Sequence, residues 1–261
     1  MEWGYSFAGL VVGFIVGLTG IGGGALMTPI LIVGFGINPA VAVSTDLLYA
    51  AVTKMGGVWP YAKKRLVNWQ VVIALLIGSV PGALIMLWVL SGIEADETLD
   101  HLINMTLGVS LVLTSIAVFF RNRIRTYVIE LDAPELKAFG RRWRLPVTSV
   151  AGLGLGMLVT LSSVGAGALG TALLILLFPH MTMRMIIATD LVHAVVLTGV
   201  AGLGHWQLGN VDLMLLAYLL AGSLPGVYLG SHLGTRLSPK FMQPVMGTLL
   251  FVIGMRFVVA G

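Results

Sequence analysis

The hydrophobic pattern of this chain consists of long apolar blocks separated by short polar segments. The blocks extend over about 5–36, 39–59, 69–92, 101–120, 146–178, 182–204, 211–234 and 239–260. A helix of roughly 20 apolar residues is long enough to cross a lipid bilayer. The pattern therefore predicts an all-α polytopic membrane protein. The first and fifth blocks, at about 32 residues, are longer than one ordinary span.

The composition strengthens the membrane prediction. Hydrophobic residues make up 57% of the chain, charged residues 10%, and the mean hydropathy is +0.99. Soluble domains carry about a quarter charged residues. There is no cysteine, which excludes disulfides and thiolate chemistry. The basic residues behind the net charge of +4 flank the membrane, where they set topology, so we expect no nucleic-acid partner.

Four sequence motifs occur twice, in the same order, at an offset of 143 or 144 positions. The matching pairs are 22–26 with 165–169, Thr28 with Thr171, 44–47 with 188–191, and 78–82 with 222–226. Such repetition in a membrane chain is typical of transporters with a site between two homologous halves. We predict a first transmembrane repeat over 1–120, a basic linker over 121–145 and a second repeat over 146–261.

The placement of Lys and Arg distinguishes two topologies for the long blocks. If each long block crosses once as a broken helix, the basic residues at 63–65 and in the linker lie opposite Arg184, Arg236 and Lys240. If each is a re-entrant hairpin, all of these residues lie on one side, which the positive-inside rule favours. Each half then crosses three times, so the repeats are inverted. The linker is then cytoplasmic and both termini are outside, with the broken crossing helix as the alternative.

The linker 121–145 is a long polar stretch rich in arginine. Asp132 is a candidate cap for a short helix that begins near Pro134 and lies along the cytoplasmic headgroups. We interpret this segment as a tether with topology signals in preference to a regulatory site.

Glycine-rich sequence interrupts both long blocks and predicts an anion site. Glycine permits non-helical backbone and leaves amide groups bare, and such backbone at membrane depth is tolerated where it lines a polar cavity or is buried. The half-helix that follows directs its amino-terminal amides at an anion. The candidate substrate-binding residues are Gly22, Gly23, Gly24 and Thr28, with Ser162, Ser163, Gly165, Gly167 and Thr171. The alternative is tight helix packing, which fits the four-residue spacing of Gly9, Gly13 and Gly17 and of Gly222, Gly226, Gly230 and Gly234.

Each repeat also carries a deep Thr-Asp pair, Thr45-Asp46 and Thr189-Asp190. Both aspartates lie about 10 Å into an apolar helix, where a carboxylate needs partners or water. They are candidates for carrying a coupling proton, and the threonines are candidates for substrate contact. A structural hydrogen bond that holds the neighbouring hairpin is an equal alternative.

Two further ionisable groups share helix faces with these aspartates. Lys54 lies eight residues after Asp46, where it can neutralise the carboxylate, meet an anionic substrate or extend toward the cytoplasmic end. His193 lies three residues after Asp190, so the two can form a proton relay. A satisfied core histidine is the commoner role of a lone imidazole.

Enzyme motifs are absent from the sequence, with no HExxH, GxSxG or cysteine pair. The histidines are spaced wrongly for one metal on one helix. We therefore predict no enzyme activity, no metal site and no cofactor.

The doubled glycine-rich breaks, Thr28-Pro29, 44–46, 78–82 and their second-half copies resemble the TauE/SafE family of sulfite exporters. The resemblance covers almost the whole chain. It implies a multi-pass carrier of the prokaryotic inner membrane for sulfite or organosulfonates such as sulfoacetate. Carried onto this sequence, the family's site involves Gly22, Gly23, Gly24, Thr28, Thr45, Asp46, Gly165, Gly167, Thr171, Thr189 and Asp190.

The sequence thus predicts a secondary active transporter in which an anion binds between two glycine-lined hairpin tips, with Asp46, Asp190 or His193 as carriers of a coupling proton. The expected partners are a small anionic substrate and the lipid bilayer, and a homodimer is left open. The alternatives are an anion channel or a carrier of another small organic anion.

Overall fold

The computed structural model describes residues 2–19, 24–93, 97–130, 134–234 and 239–260, and the regular elements in these ranges are helices. In chain order they are α1 (Glu2–Thr19), α2 (Gly24–Pro29), α3 (Pro39–Lys63), α4 (Trp69–Ser91), α5 (Glu97–Glu130), α6 (Pro134–Ser162), α7 (Ala168–Leu177), α8 (Met183–Gln207), α9 (Leu213–Gly234) and α10 (Pro239–Ala260). A π-helical turn, Ile30–Gly34, continues α2. The prediction of an all-α protein is confirmed.

Within the described residues, five helical segments are long and apolar enough to cross a membrane. They are Trp69–Ser91, Leu99–Tyr127, Trp143–Ser162, Met183–Gln207 and Leu213–Gly230. Shorter apolar helical stretches occur at Trp3–Leu18, Ala25–Gly34, Ala168–Leu177 and Pro244–Val259. By length and composition, the chain is a multi-pass membrane protein.

The fifth apolar block is interrupted where the sequence predicts a break. Helix α6 ends at Ser162 and α7 begins at Ala168. Between them, Ser163, Gly165 and Gly167 have φ values of 57°, 111° and 139°. An α-helix cannot contain such backbone, and glycine adopts it without a steric penalty. The equivalent segment of the first block, 20–23, lies outside the described residues.

The first block begins and ends at neighbouring points of the structure. The Tyr5 ring, near the start of α1, lies 4.9 Å from the Phe35 ring, measured between centroids. Phe35 directly follows the π-helical turn. Since α1 alone is about 27 Å long at 1.5 Å per residue, the chain has to turn back between these two rings.

The linker region differs from the short separate helix that the sequence suggests. Helix α5 continues past its apolar block to Glu130, and α6 begins at Pro134 and runs without interruption to Ser162. Proline suits a first helical position because it lacks an amide hydrogen. Arginine is a good helix former, so the described linker residues extend the two helices. Asp132, the candidate cap, lies outside the described residues.

Glycine-mediated contacts join the halves. Gly9 and Gly13 of α1 lie against the backbone of Leu219 and Ser223 on α9. The repeat counterparts, Gly152 and Gly156 of α6, lie in the same way against Leu75 and Ser79 on α4. A Cβ at any of these glycines would collide with the facing backbone. The four-residue glycine spacing therefore does serve close packing, and α1–α9 and α4–α6 are parallel pairs.

Two further helix pairs run antiparallel between the halves. In one, Ser44 of α3 lies beside His205 of α8, and Leu48 lies beside Gly202. The other joins α5 and α10, where residue numbers likewise rise along one helix as they fall along the other. There Gly108 packs against Val258, and the Ser115 hydroxyl donates to the Gly247 carbonyl over 2.8 Å.

We expect Gly156→Ala to destabilise the protein by roughly 1–3 kcal/mol, because the added methyl group meets the backbone at Ser79. Gly154→Ala is the matched control on the same helix. Gly154 is exposed, and a methyl group added there would have no neighbouring atom within 4 Å, so alanine only improves helix propensity. Thermal unfolding in detergent measures both, and equal transition temperatures would contradict the packing argument.

Candidate functional site

A buried carboxylate joins the two halves at the centre of the candidate site. Asp46 on α3 has no exposed surface. Its Oδ2 accepts a hydrogen bond from Thr28 Oγ1 on α2 at 2.5 Å and one from Ser163 Oγ at 3.0 Å. Ser163 belongs to the break between α6 and α7, so one oxygen atom connects the short helix of the first half to the break of the second.

The second half repeats the threonine–aspartate contact. Thr171 Oγ1 on α7 donates to Asp190 Oδ2 on α8 over 2.9 Å. Gly170 lies directly against this carboxylate, where a Cβ would collide with it. In both aspartates the other oxygen, Oδ1, is buried and has no hydrogen-bond partner among the described residues. The backbone amides of Thr28 and Thr171 also act on these carboxylates.

The Lys54 side chain points into the protein. It is 6% exposed, and its Nζ donates to the Ala166 carbonyl in the break at 2.7 Å. Asp46 and Asp190 both act electrostatically on this ammonium group. The Lys54 side chain therefore does not extend toward the cytoplasmic end of its helix, which was one of the alternatives from the sequence. Thr198, the repeat counterpart, bonds instead to the Ala194 carbonyl of its own helix.

The predicted contact between Asp190 and His193 is not a direct one. His193 Nε2 pairs with Ser79 Oγ on α4 at 2.9 Å, with donor and acceptor roles set by the tautomer, and its Nδ1 is buried without a partner among the described residues. Lys54 acts on the imidazole electrostatically. In the other half, Tyr49 and Ser223 occupy the equivalent positions and approach each other. The doubled 78–82 motif was the signal for the two serines, although sequence analysis did not assign them.

Thr45 and Thr189 each contact the start of a helix from the opposite half. Thr45 Oγ1 accepts from the Asp212 amide at 3.2 Å, and Thr189 Oγ1 accepts from the Asn68 amide at 3.0 Å. Asn68 and Asp212 are repeat counterparts that precede α4 and α9. Their side-chain oxygens also accept from amides in the first turn of those helices. In this structure the two threonines therefore hold the halves together.

The remaining candidates shape the backbone. Ser162 Oγ donates to the Leu158 carbonyl at 2.7 Å and so bonds back into the last turn of α6. Gly165 and Gly167 supply the positive-φ positions of the break. Gly24 begins α2, and Gly22 and Gly23 lie outside the described residues.

His205 is a functional candidate that sequence analysis missed. It is 2% exposed and lies within α8, which continues to Gln207 beyond the end of the apolar block at 204. Its Nδ1 lies 2.8 Å from Ser44 Oγ, and its Nε2 lies 2.9 Å from the Thr160 carbonyl. It thus links α8, α3 and α6. Ser44 directly precedes Thr45-Asp46, which was the available signal.

This arrangement of buried charges around the break between α6 and α7 can be compared with known proteins. A family model described as sulfite exporter TauE/SafE matches residues 5–257. The chain belongs to the TauE/SafE family. The resemblance seen in the sequence is therefore confirmed, and the function at this level is that of a membrane transporter.

Several relatives of the chain carry transporter names. Over 258 residues the chain is 39% identical to probable membrane transporter protein YjnA of Bacillus subtilis, covering 96% of this chain and 97% of the relative. Probable membrane transporter protein YunE of the same organism is 22% identical, with coverages of 97% and 96%. MJ0441 of Methanocaldococcus jannaschii, with the same description, is 26% identical, with 94% and 92% covered. No solved structure matches the chain.

We expect Thr28→Val to destabilise the protein by about 1–3 kcal/mol, because it removes a donor from the buried Asp46 carboxylate without changing the side-chain volume much. Thr28→Ser keeps the hydroxyl and is the control. Thermal unfolding in detergent compares the two. A valine variant as stable as the serine variant would contradict the hydrogen-bond argument.

Proposed function

We propose that this TauE/SafE member is a secondary active transporter that moves a small sulfur-containing anion, sulfite or an organosulfonate such as sulfoacetate, across the cytoplasmic membrane. The observation that carries the proposal is the buried Lys54 ammonium at the glycine-rich break. A cation at membrane depth is costly and marks a functional site by default. An anion beside Lys54 gains a charge-assisted contact, and the bare backbone at Gly165 and Gly167 lets it approach closely.

Hydroxyl donors and helix ends supply the remaining attraction. Thr28 lies in the short helix α2, Thr171 lies in the short helix α7, and Ser163 lies in the break between α6 and α7. Amides at the start of a helix favour negative charge. In this structure all three hydroxyls donate to aspartate carboxylates. A substrate anion therefore competes with Asp46 and Asp190 for the same donors.

This competition supports proton coupling. While the aspartates are ionised, they neutralise Lys54 and repel an incoming anion. A proton bound by either carboxylate brings the summed charge of the three groups from −1 to zero, which reduces that repulsion and weakens the hold of the protonated carboxylate on its hydroxyl donors. Proton and anion then each favour the binding of the other, which is the thermodynamic requirement for their cotransport. His193, within electrostatic reach of Lys54, belongs to the same coupled set.

The helix registers support an inverted-repeat architecture. The pairs α3–α8 and α5–α10 each consist of repeat counterparts, and both pairs are antiparallel. Counterparts related by an axis along the membrane normal would run parallel, whereas an axis in the membrane plane reverses them. Helix directions followed along the chain then bring the flanking Lys and Arg to one side, as positive-inside topology requires.

The same directions support re-entrant hairpins for the two long blocks. Contact between the rings of Tyr5 and Phe35 agrees with a first block that returns to its starting side. The break after α6 gives the fifth block a turn at the corresponding position. We propose that the substrate site lies between the two hairpin tips, with the termini outside and 121–145 cytoplasmic.

Transport by purified protein in liposomes tests the function. We expect saturable uptake of labelled sulfite or sulfoacetate that shows counterflow and increases with an inward proton gradient. Lys54→Met should lower kcat/KM roughly 30-fold or more, because loss of one partner from a buried charge set costs about 2 kcal/mol or more. Lys54→Arg and the exposed Lys64→Met are the controls.

Each outcome bears on a separate part of this proposal. Asp46→Asn and Asp190→Asn should weaken the dependence on the proton gradient, and wild-type gradient dependence in both would exclude coupling through them. Flux without saturation or counterflow would indicate a channel. Full activity in Lys54→Met would show that the ammonium group is not part of the site.

Single cysteines test the topology without background, since the chain has none. In intact cells, a membrane-impermeant maleimide should label Trp3→Cys and Phe35→Cys, which are exposed positions at the two ends of the first block. It should label Lys64→Cys and His180→Cys only after the membrane is opened. Labelling of Trp3→Cys and Phe35→Cys from opposite sides would show that the first block crosses once.

A further inference from the structure

One face of α5 carries buried polar atoms that the proposed site does not use. They are Ser110 Oγ, Thr114 Oγ1, Arg121 Nε and Arg125 Nε. At 3.6 residues per turn these four residues fall within about 60° of one another around the helix. We refer to them as the donor face. None of the four atoms has a hydrogen-bond partner among the described residues.

The four atoms of the donor face are inaccessible in the chain alone. Ser110 and Thr114 are fully buried, whereas Arg121 and Arg125 are half-buried, so each arginine keeps some exposed surface. Helix α5 packs against α7, α6 and α3 in addition to α10. Ile124, between the two arginines, packs in a cluster with Leu75, Leu174 and Ile186 of α4, α7 and α8. The donor face therefore adjoins the interior near α7, the helix that starts at the second break.

The chemistry of the donor face selects for anions. Arg121 and Arg125 are one turn apart, and the positive charge of Arg125 acts on Arg121. A guanidinium group donates hydrogen bonds and accepts none, so an adjacent pair is completed by an acceptor with negative charge. Buried donors without acceptors cost free energy. Water or an anion can supply the missing acceptor.

We propose that the donor face is the cytoplasmic approach by which a small oxyanion reaches the site between the hairpin tips. Arg121 and Arg125, at the linker end of α5, concentrate the anion, and Thr114 and Ser110 provide the next hydroxyls toward the membrane centre. The direction of this path rests on the proposed function and its topology. A guanidinium pair also suits the phosphate of an anionic lipid. Comparison of neutral with anionic lipid distinguishes a lipid headgroup from a free oxyanion.

Cysteine accessibility tests this path without measuring transport. In a chain with no other cysteine, Thr114→Cys should react with the anionic reagent 2-sulfonatoethyl methanethiosulfonate in inside-out vesicles. Ser115→Cys is the matched control, because Ser115 is equally buried but faces α10 and bonds to the Gly247 carbonyl. We expect no reaction there. Ser110→Cys is a second reporter should Thr114→Cys not elute as a folded protein.

Charge selectivity tests the role of the arginines. Arg121→Gln together with Arg125→Gln should lower the rate for the anionic reagent, relative to a cationic trimethylammonium analogue, by about tenfold, since charged clefts raise local ion concentration by that order or more. Arg123→Gln lies about 160° away from Arg121 on the same helix and should leave the ratio unchanged. The ratio of the two reaction rates is measured in vesicles of neutral lipid and in vesicles that contain anionic lipid.

These measurements can refute the proposed path without refuting the proposed function. Inert Thr114→Cys and Ser110→Cys in folded protein, or equal reaction of Ser115→Cys, would overturn the path even if anions are transported. A charge ratio insensitive to both arginines would overturn their role. Anionic lipid that abolishes the charge preference would identify the pair as a headgroup site instead. A reactive, charge-selective donor face in a protein that transports no tested anion would count against the proposed substrates and leave the path standing.

Discussion

Polar groups at membrane depth must find their partners within the protein, because lipid offers neither hydrogen bonds nor counterions. Asp46, Asp190 and Lys54 are subject to this requirement because all three are buried inside the protein. Their partners come from the irregular backbone between α6 and α7 and from the short helices α2 and α7. The break between α6 and α7 and the buried charges therefore depend on each other, because each supplies hydrogen-bond partners to the other.

The same requirement explains why the two halves interlock. Glycine allows the backbones of α1 and α9, and of α4 and α6, to approach closely, and each of these pairs takes one helix from each half. Thr45 and Thr189 reinforce the arrangement by accepting from amides at helix starts in the opposite half. In lipid, where helices gain little from hydrophobic burial, such close packing and interhelical hydrogen bonds are the main sources of association.

The repeat is nearly symmetric in its scaffold and asymmetric in its chemistry. Glycine contacts, helix starts and threonine–aspartate pairs recur at the 143 or 144 offset. Lys54 corresponds to Thr198, Tyr49 to His193, and Ser163 to Gly20, so the charged and hydroxyl groups around the centre differ between halves. A duplicated scaffold thus supports one asymmetric polar cluster, in which the ammonium group comes from the first half and its carbonyl partner from the second.

The sequence by itself determined the features that depend on local pattern. Apolar block length predicted the helices, and the glycine-rich interruption predicted the break at 163–167. Repeat spacing identified Thr28, Thr171, Asp46 and Asp190 as related positions, and the doubled motifs supported the family assignment. Each of these follows from the composition or spacing of neighbouring residues, so no knowledge of distant contacts was needed.

Tertiary structure alone decided which polar groups meet. Ser163 reaches Asp46 across 117 positions, and Lys54 reaches Ala166 across 112. It also paired His193 with Ser79 where helix spacing suggested Asp190, and gave the apparently unremarkable His205 two partners. Helical periodicity fixes the face on which a side chain lies. The partner on that face depends on how helices from the two halves pack, which no local pattern records.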